Sequence, residues 1–171
     1  MNPDYFGCTL IHKSNFPDKG NLYVGGIKSL DSIQKYKFGA IISVIDELDY
    51  KIPKQIYHLR IVAPDEPNFK ISDHFEKTCK FIKVYLKQTN VLVHCQVGIS
   101  RSVSVMMAYF IKEMNMKPDD AFLYIQDKRE FVHPNEGFRL QLQKFYEECT
   151  KPKEKSNPKS KLQQVQQQKQ K

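Results

Sequence analysis

The sequence predicts an α/β fold, a central and mostly parallel five-stranded sheet flanked by helices on both faces. Three observations lead there. Along 171 residues, short apolar runs of strand length alternate with segments of helical periodicity, the pattern of a sheet covered by helices. The segment from Val103 to Ile111 is apolar around most of its circumference, which marks a helix buried at the centre of the molecule. A hydrophobic content of 40%, with nine Tyr and eleven Phe, supplies one sizeable core, as suits a single domain of this length.

The elements follow in order. Strands are expected at 8–12, 21–24, 40–45, 56–61 and 90–94. The third carries the apolar run Ala40-Ile41-Ile42-Ser43-Val44-Ile45, and the last contains Val91-Leu92-Val93. Helices are expected at 30–37, 71–87, 101–115, 118–128 and 136–149. In 71–87, Ile71, Phe75, Cys79, Ile82 and Leu86 share one stripe, while Lys77, Lys80, Lys83 and Lys87 lie mostly elsewhere. Pro118 followed by Asp119 and Asp120 is a good helix start. Asn135 ahead of Glu136, Phe138, Leu142 and Phe145 reads as an N-cap before an amphipathic helix. There is no internal repeat.

Charge and cysteine content narrow the classes of function. The net charge of +8 is misleading, because residues 151–171 hold seven Lys against one Glu and leave the body at only +2. That Lys- and Gln-rich stretch has too little apolar content to bury, so residues 150–171 are expected to be a disordered tail behind a domain at 5–149. Outside the tail no basic patch is interleaved with aromatics, and no nucleic-acid partner is expected. Cys8, Cys79, Cys95 and Cys149 show no C-x-x-C spacing, which argues against a metal site or a disulfide framework. Cys79 reads as a core residue, with a resolving thiol for Cys95 as the alternative. No secretory signal or spanning segment is visible, so no membrane association is expected.

One stretch carries chemistry. His94-Cys95-Gln96-Val97-Gly98-Ile99-Ser100-Arg101-Ser102 lies between the last predicted strand and the central helix. A loop that opens with Cys and ends at a helix N-terminus points backbone N–H groups at the sulfur, a geometry suited to a tetrahedral dianion. The same positive end of the helix favours a thiolate, the nucleophilic form. Arg101 presents a planar fork of donors to two phosphate oxygens. Gly98 permits a positive φ and a close approach to the anion. Ser102 places a hydroxyl where a departing thiolate would be stabilised.

His-Cys-x-x-Gly-x-x-Arg-Ser resembles the signature of the cysteine-dependent protein tyrosine phosphatases. Further stretches resemble the small dual-specificity members of that superfamily. These are Asn21-Leu22-Tyr23-Val24-Gly25-Gly26, Ala40 to Ile45, Ile61-Val62-Ala63-Pro64-Asp65-Glu66, Ile71 to Phe75, Ala108 to Ile111 and Arg129 to Phe138. The resemblance spans roughly residues 5 to 148 and implies no metal or other cofactor. It implies that Cys95 is the nucleophile and that Arg101 and the backbone of Gln96, Val97, Gly98, Ile99 and Ser100 bind the phosphate. Ser102 assists thiolate departure, and His94 supports the loop.

Expelling a serine or threonine oxygen requires a general acid. Asp65 sits between Pro64 and Pro67, which hold it on a loop, and it occupies the position the family uses for its acid. Glu66 is the adjacent competitor, and Asp73 reads as an early-helix residue. Asn135 resembles the family's polar brace of the phosphate loop. The helix cap is the favoured reading, and the two roles are compatible.

The resemblance also implies phosphoprotein substrates, with a mitogen-activated protein kinase among the candidates, and a reducing compartment, cytoplasmic or also nuclear. The alternatives are a non-protein substrate (phosphoinositide, RNA 5′-phosphate or phosphoglucan) and a phospho-binding scaffold. Gln96, Val97, Ile99 and Ser100 include no Lys, which weakens the phosphoinositide reading. The presence of both Cys95 and Arg101 opposes the scaffold.

Overall fold

A computed structural model describes residues 7–15 and 19–151. Five strands, β1 (Cys8–His12), β2 (Leu22–Gly25), β3 (Phe38–Val44), β4 (Tyr57–Ile61) and β5 (Asn90–His94), form one sheet in the order β1-β2-β5-β3-β4. β1 runs antiparallel to β2, and the other three pairings are parallel. The sheet is therefore mixed, with one antiparallel edge strand on an otherwise parallel array. Strand positions agree with the sequence reading to within about two residues.

β5 lies between β2 and β3, and its residues from Val91 to His94 are buried. A central parallel strand is covered on both faces, which is why its sequence reads as a continuous apolar run. One face packs against α1 (Phe75–Tyr85), α2 (Arg101–Met114), α3 (Pro118–Gln126) and α4 (Glu136–Thr150). α2 is buried continuously from Arg101 to Ile111, as its apolar circumference requires. Phe75, Phe110 and Phe138 are wholly buried in this layer, each worth about 1.5–3 kcal/mol of transfer free energy. The second face holds a smaller cluster, in which Tyr23, Ile41 and Leu92 meet Leu30, Ile33 and Ile56.

The covering of that second face departs from expectation. The helix predicted at 30–37 is a 3-10 helix at Ile27–Ser32, followed by turns. It starts earlier because Ile27 is tied to the loop after β5 through its N–H to the Gln96 carbonyl, at 3.0 Å. The chain then turns, and Lys37 adopts a left-handed φ of 50° immediately before β3. The segment predicted at 71–87 likewise opens as a 3-10 turn at Ile71–His74 before α1 begins. α3 starts on Pro118 with two acidic residues in its first turn, as read from the sequence. α4 runs through Thr150, and the greater part of the expected tail, residues 152–171, lies outside the described residues.

Candidate active site

The loop between β5 and α2 is held from outside through its first N–H and three of its carbonyls. Cys95 N–H donates to the Gly25 carbonyl of β2 at 3.3 Å, and His133 N–H donates to the Ile99 carbonyl at 2.9 Å. The largest clamp is Arg129, which is almost fully buried. Its Nε donates to the Gly98 carbonyl at 2.9 Å, its Nη2 to the Val97 carbonyl at 3.1 Å, and its Nη1 to Thr9 Oγ1 at 3.0 Å. With these carbonyls engaged outward, Gly98 N–H points inward to Cys95 Sγ at 3.2 Å.

Gly98 is required twice over. Its φ is +81°, and a Cβ there would stand 2.5 Å from the Gly25 carbonyl carbon. Gly98→Ala is therefore expected to cost about 1–3 kcal/mol in strain and to displace the N–H that faces the sulfur. A lowered melting temperature together with a lowered rate of Cys95 alkylation would show both effects.

The predicted side chains converge. Cys95, 2% exposed, borders a cleft of about 480 Å³ together with Asp65, Arg101, Asn135 and Ser100. Val97 and Ile99 border it as well, whereas Gln96 is exposed and Gly98 is buried, meeting the site through its N–H to the sulfur. Ser102 Oγ donates to Cys95 Sγ at 3.3 Å, so the sulfur accepts two hydrogen bonds that stabilise an anion better than a neutral thiol.

Arg101 is 7% exposed. Its Nη1 donates to Asp46 Oδ1 at 2.8 Å and to the Ala63 carbonyl at 2.9 Å, which aims the guanidinium. Its Nε is buried without a hydrogen-bond partner and stands 3.5 Å from Asp65 Oδ2. The Asp46 carboxyl is held below the usual carboxylate range, first by its own backbone N–H and second by Arg101.

Asp65 is fastened over the cleft by two donors to Oδ1, Ser100 Oγ at 2.7 Å and Asn135 Nδ2 at 2.8 Å. Asn135 is the cap favoured from the sequence, while its side chain braces the acid loop rather than the phosphate loop, which it meets only through its backbone N–H. Its Oδ1 accepts from Phe138 N–H at 2.9 Å and caps α4, while its amide nitrogen reaches the acid loop. Ser100 is more than a backbone donor, because its hydroxyl links Asp65 to Asn135 N–H at 3.2 Å. Glu66 is exposed, and Asp73 lies in the first turn of the 3-10 segment.

His94 is wholly buried at the end of β5. Its Nδ1 lies 3.2 Å from the Cys95 carbonyl, and its Nε2 lies 2.7 Å from Ser43 Oγ. Burial lowers its pKa to about 4, so the ring is neutral at physiological pH. Cys79 sits in the helical core, where burial raises its thiol to about 12.

Sequence reasoning passed over four contributors, Asp46, Arg129, Ser43 and His58. Asp46 and Arg129 reach the site directly and Ser43 and His58 through His94, all from other elements, so no local spacing announces them. Ser43 left a signal as the one polar residue in an otherwise apolar strand, and Arg129 as the first residue of a stretch resembling the family.

Comparison with known proteins places this geometry. The family model for the dual specificity phosphatase catalytic domain matches residues 22–148. A probable dual specificity protein phosphatase of Dictyostelium discoideum is 35% identical over 138 residues, covering 80% of this chain and 34% of that protein. A MAP kinase phosphatase with leucine-rich repeats from the same organism is 35% identical over 128 residues, covering 72% of this chain and 15% of that protein. The chain thus spans about a third or less of these curated relatives. The crystal structure of DUSP15 superposes with a TM-score of 0.70 at 32% identity, covering 78% of this chain and 86% of that one.

Proposed function

The chain belongs to the dual-specificity phosphatase family, and from that premise we propose that it hydrolyses phosphotyrosine and phosphoserine/phosphothreonine in proteins through a phosphocysteine intermediate. The observation that carries the reading is Cys95 Sγ, bonded by Gly98 N–H at 3.2 Å and Ser102 O–H at 3.3 Å, in a cleft shared with Arg101 and Asp65.

In the first step the Cys95 thiolate attacks phosphorus in line. An S–P bond forms as the bond to the substrate oxygen breaks. The Arg101 fork and the loop N–H groups take the charge on the equatorial oxygens, where a dissociative transition state spreads it. Asp65 donates a proton to the leaving oxygen. A phosphate oxygen competes with Asp65 for Arg101 Nε, which loosens the 3.5 Å approach between the two side chains. In the second step Asp65 takes a proton from water as that water attacks phosphorus. Ser102 O–H then stabilises the departing Cys95 sulfur. Such a thiolate works in a reducing compartment, which on this reading is the cytosol or nucleus.

Asp65→Ala is expected to slow turnover of phosphoserine peptides by roughly 10²–10³-fold. Activated aryl phosphates, whose leaving group needs no proton, should lose far less. Equal losses on both would remove Asp65 from the acid role. The substrate class is tested by comparing the purified chain on phosphopeptides, phosphoinositides, 5′-phosphorylated RNA and phosphoglucan. Turnover of phosphopeptides well above the rest supports the proposal, and preferred turnover of any other class overturns it. A double variant, Asp65→Ala with Cys95→Ser, should capture phosphoprotein substrates. Mitogen-activated protein kinases are the first candidates to probe, given the kinase phosphatase among the relatives.

A further inference from the structure

A line of hydrogen bonds crosses three strands of the sheet beneath the nucleophile. It begins at the exposed side chain of His58 on β4. His58 Nε2 lies 2.8 Å from Ser43 Oγ on β3, Ser43 Oγ lies 2.7 Å from His94 Nε2 on β5, and His94 Nδ1 lies 3.2 Å from the Cys95 carbonyl. The direction of every bond follows from its last member. A carbonyl oxygen only accepts, so His94 Nδ1 carries the proton. A neutral ring then accepts at Nε2, so the Ser43 hydroxyl donates there. Having used its single proton, Ser43 Oγ accepts from His58 Nε2–H. Burial keeps His94 neutral, and desolvation of the part of the His58 ring turned toward Ser43, followed by the charge of Arg60 on the same strand, lowers the His58 pKa. Arg60 itself is turned to the Asp46 carbonyl at 3.0 Å.

The consequence reaches the sulfur. A carbonyl dipole turned toward a thiolate is repulsive, whereas an N–H turned toward it is attractive. Through Nδ1–H, His94 holds the Cys95 carbonyl on the outer side of the loop. The opposite tautomer would set a ring lone pair against that carbonyl oxygen and would bring two N–H donors, from His94 and His58, onto Ser43 Oγ, leaving the hydroxyl proton with neither ring nitrogen to accept it. Donation by His58 Nε2–H into Ser43 Oγ works against that tautomer, because it leaves His94 Nε2 as the acceptor within reach of the Ser43 proton.

We propose that Ser43 and His58 are positioning residues that lock His94 in the Nδ1–H tautomer and thereby hold the Cys95 loop in its thiolate-stabilising form. The assignment rests on the reading of Cys95 as nucleophile, but its test does not require turnover. Alkylation of Cys95 by iodoacetamide, followed by mass spectrometry across pH, reports the thiol titration directly. Nitrogen-15 spectra of labelled histidine report the His94 tautomer.

Ser43→Ala is expected to raise the Cys95 midpoint by about one pH unit, a roughly ten-fold loss of thiolate at a pH below it, and to admit the Nε2–H tautomer. His58→Leu should shift both readouts in the same direction and by less. His58→Gln, which restores an N–H donor, should return them to wild type. Should Ser43→Ala fold poorly, the exposed His58 pair decides the matter alone. An unchanged midpoint and tautomer in Ser43→Ala, or in His58→Leu where that pair decides, overturns the proposal. The expected shifts in the variants of a chain whose wild type turns over no phosphate ester would instead overturn the phosphatase reading and leave the positioning chain standing.

Discussion

Cys95→Ser is expected to reduce phosphopeptide hydrolysis to background, a loss on the order of 10⁴–10⁶-fold, while substrate binding survives. The two hydrogen bonds to Sγ and the N-terminus of α2 stabilise an anion at this position. They act on a thiol, which titrates near ~8.5 unperturbed and can be drawn into the physiological range. No comparable stabilisation ionises a serine hydroxyl. The rest of the cleft is untouched by the exchange, because Arg101 is aimed by Asp46 and Ala63 and the loop is clamped by Arg129. Stopped-flow mixing with an aryl phosphate should show no burst, and equilibrium binding of a phosphopeptide should persist. Residual turnover above background in the variant would remove Cys95 as nucleophile.

Arg101→Lys is expected to lower kcat by roughly 10²–10³-fold with a smaller change in melting temperature. Lysine keeps the charge but loses the planar fork. In the structure that fork is divided, with Nη1 satisfied by Asp46 and Ala63 and Nε aimed into the cleft beside Asp65. An ammonium carries its three donors on one nitrogen and cannot occupy the separate positions of Nη1, at Asp46 and Ala63, and Nε, in the cleft. Asp46→Asn separates orientation from charge, since it weakens the aim of Arg101 without removing the guanidinium. A loss of kcat in Asp46→Asn that is smaller than in Arg101→Lys but of the same sign supports this account. A normal kcat in Arg101→Lys would show that the fork contributes nothing beyond its charge.

Much of this was readable along the chain because it is local. The nine residues from His94 to Ser102 hold the nucleophile, the fork and the Gly98 turn within one strand-to-helix transition. Their relative geometry follows from the path of a loop that must join β5 to α2. The helices read correctly where periodicity and punctuation agreed, as at Pro118 for α3 and Asn135 for α4. The segment at 30–37 read wrongly because its apolar residues serve a tertiary purpose. Leu30 and Ile33 fill the smaller core, and the Ile27–Gln96 bond sets where the turn begins. A short helix has little propensity of its own with which to resist such a constraint.

By itself the sequence determined the sheet-and-helix alternation, the buried central helix and the identity of a cysteine loop bearing its own arginine. Each depends on side-chain periodicity or on neighbours a few bonds apart. Only the tertiary structure decided who holds that loop in place. Asp46, Arg129 and the Ser43–His58 pair come from other elements, brought in by strand order and helix packing. The aim of Arg101 and the tautomer of His94 are set by these partners, since the direction of a hydrogen bond depends on which atoms meet in space.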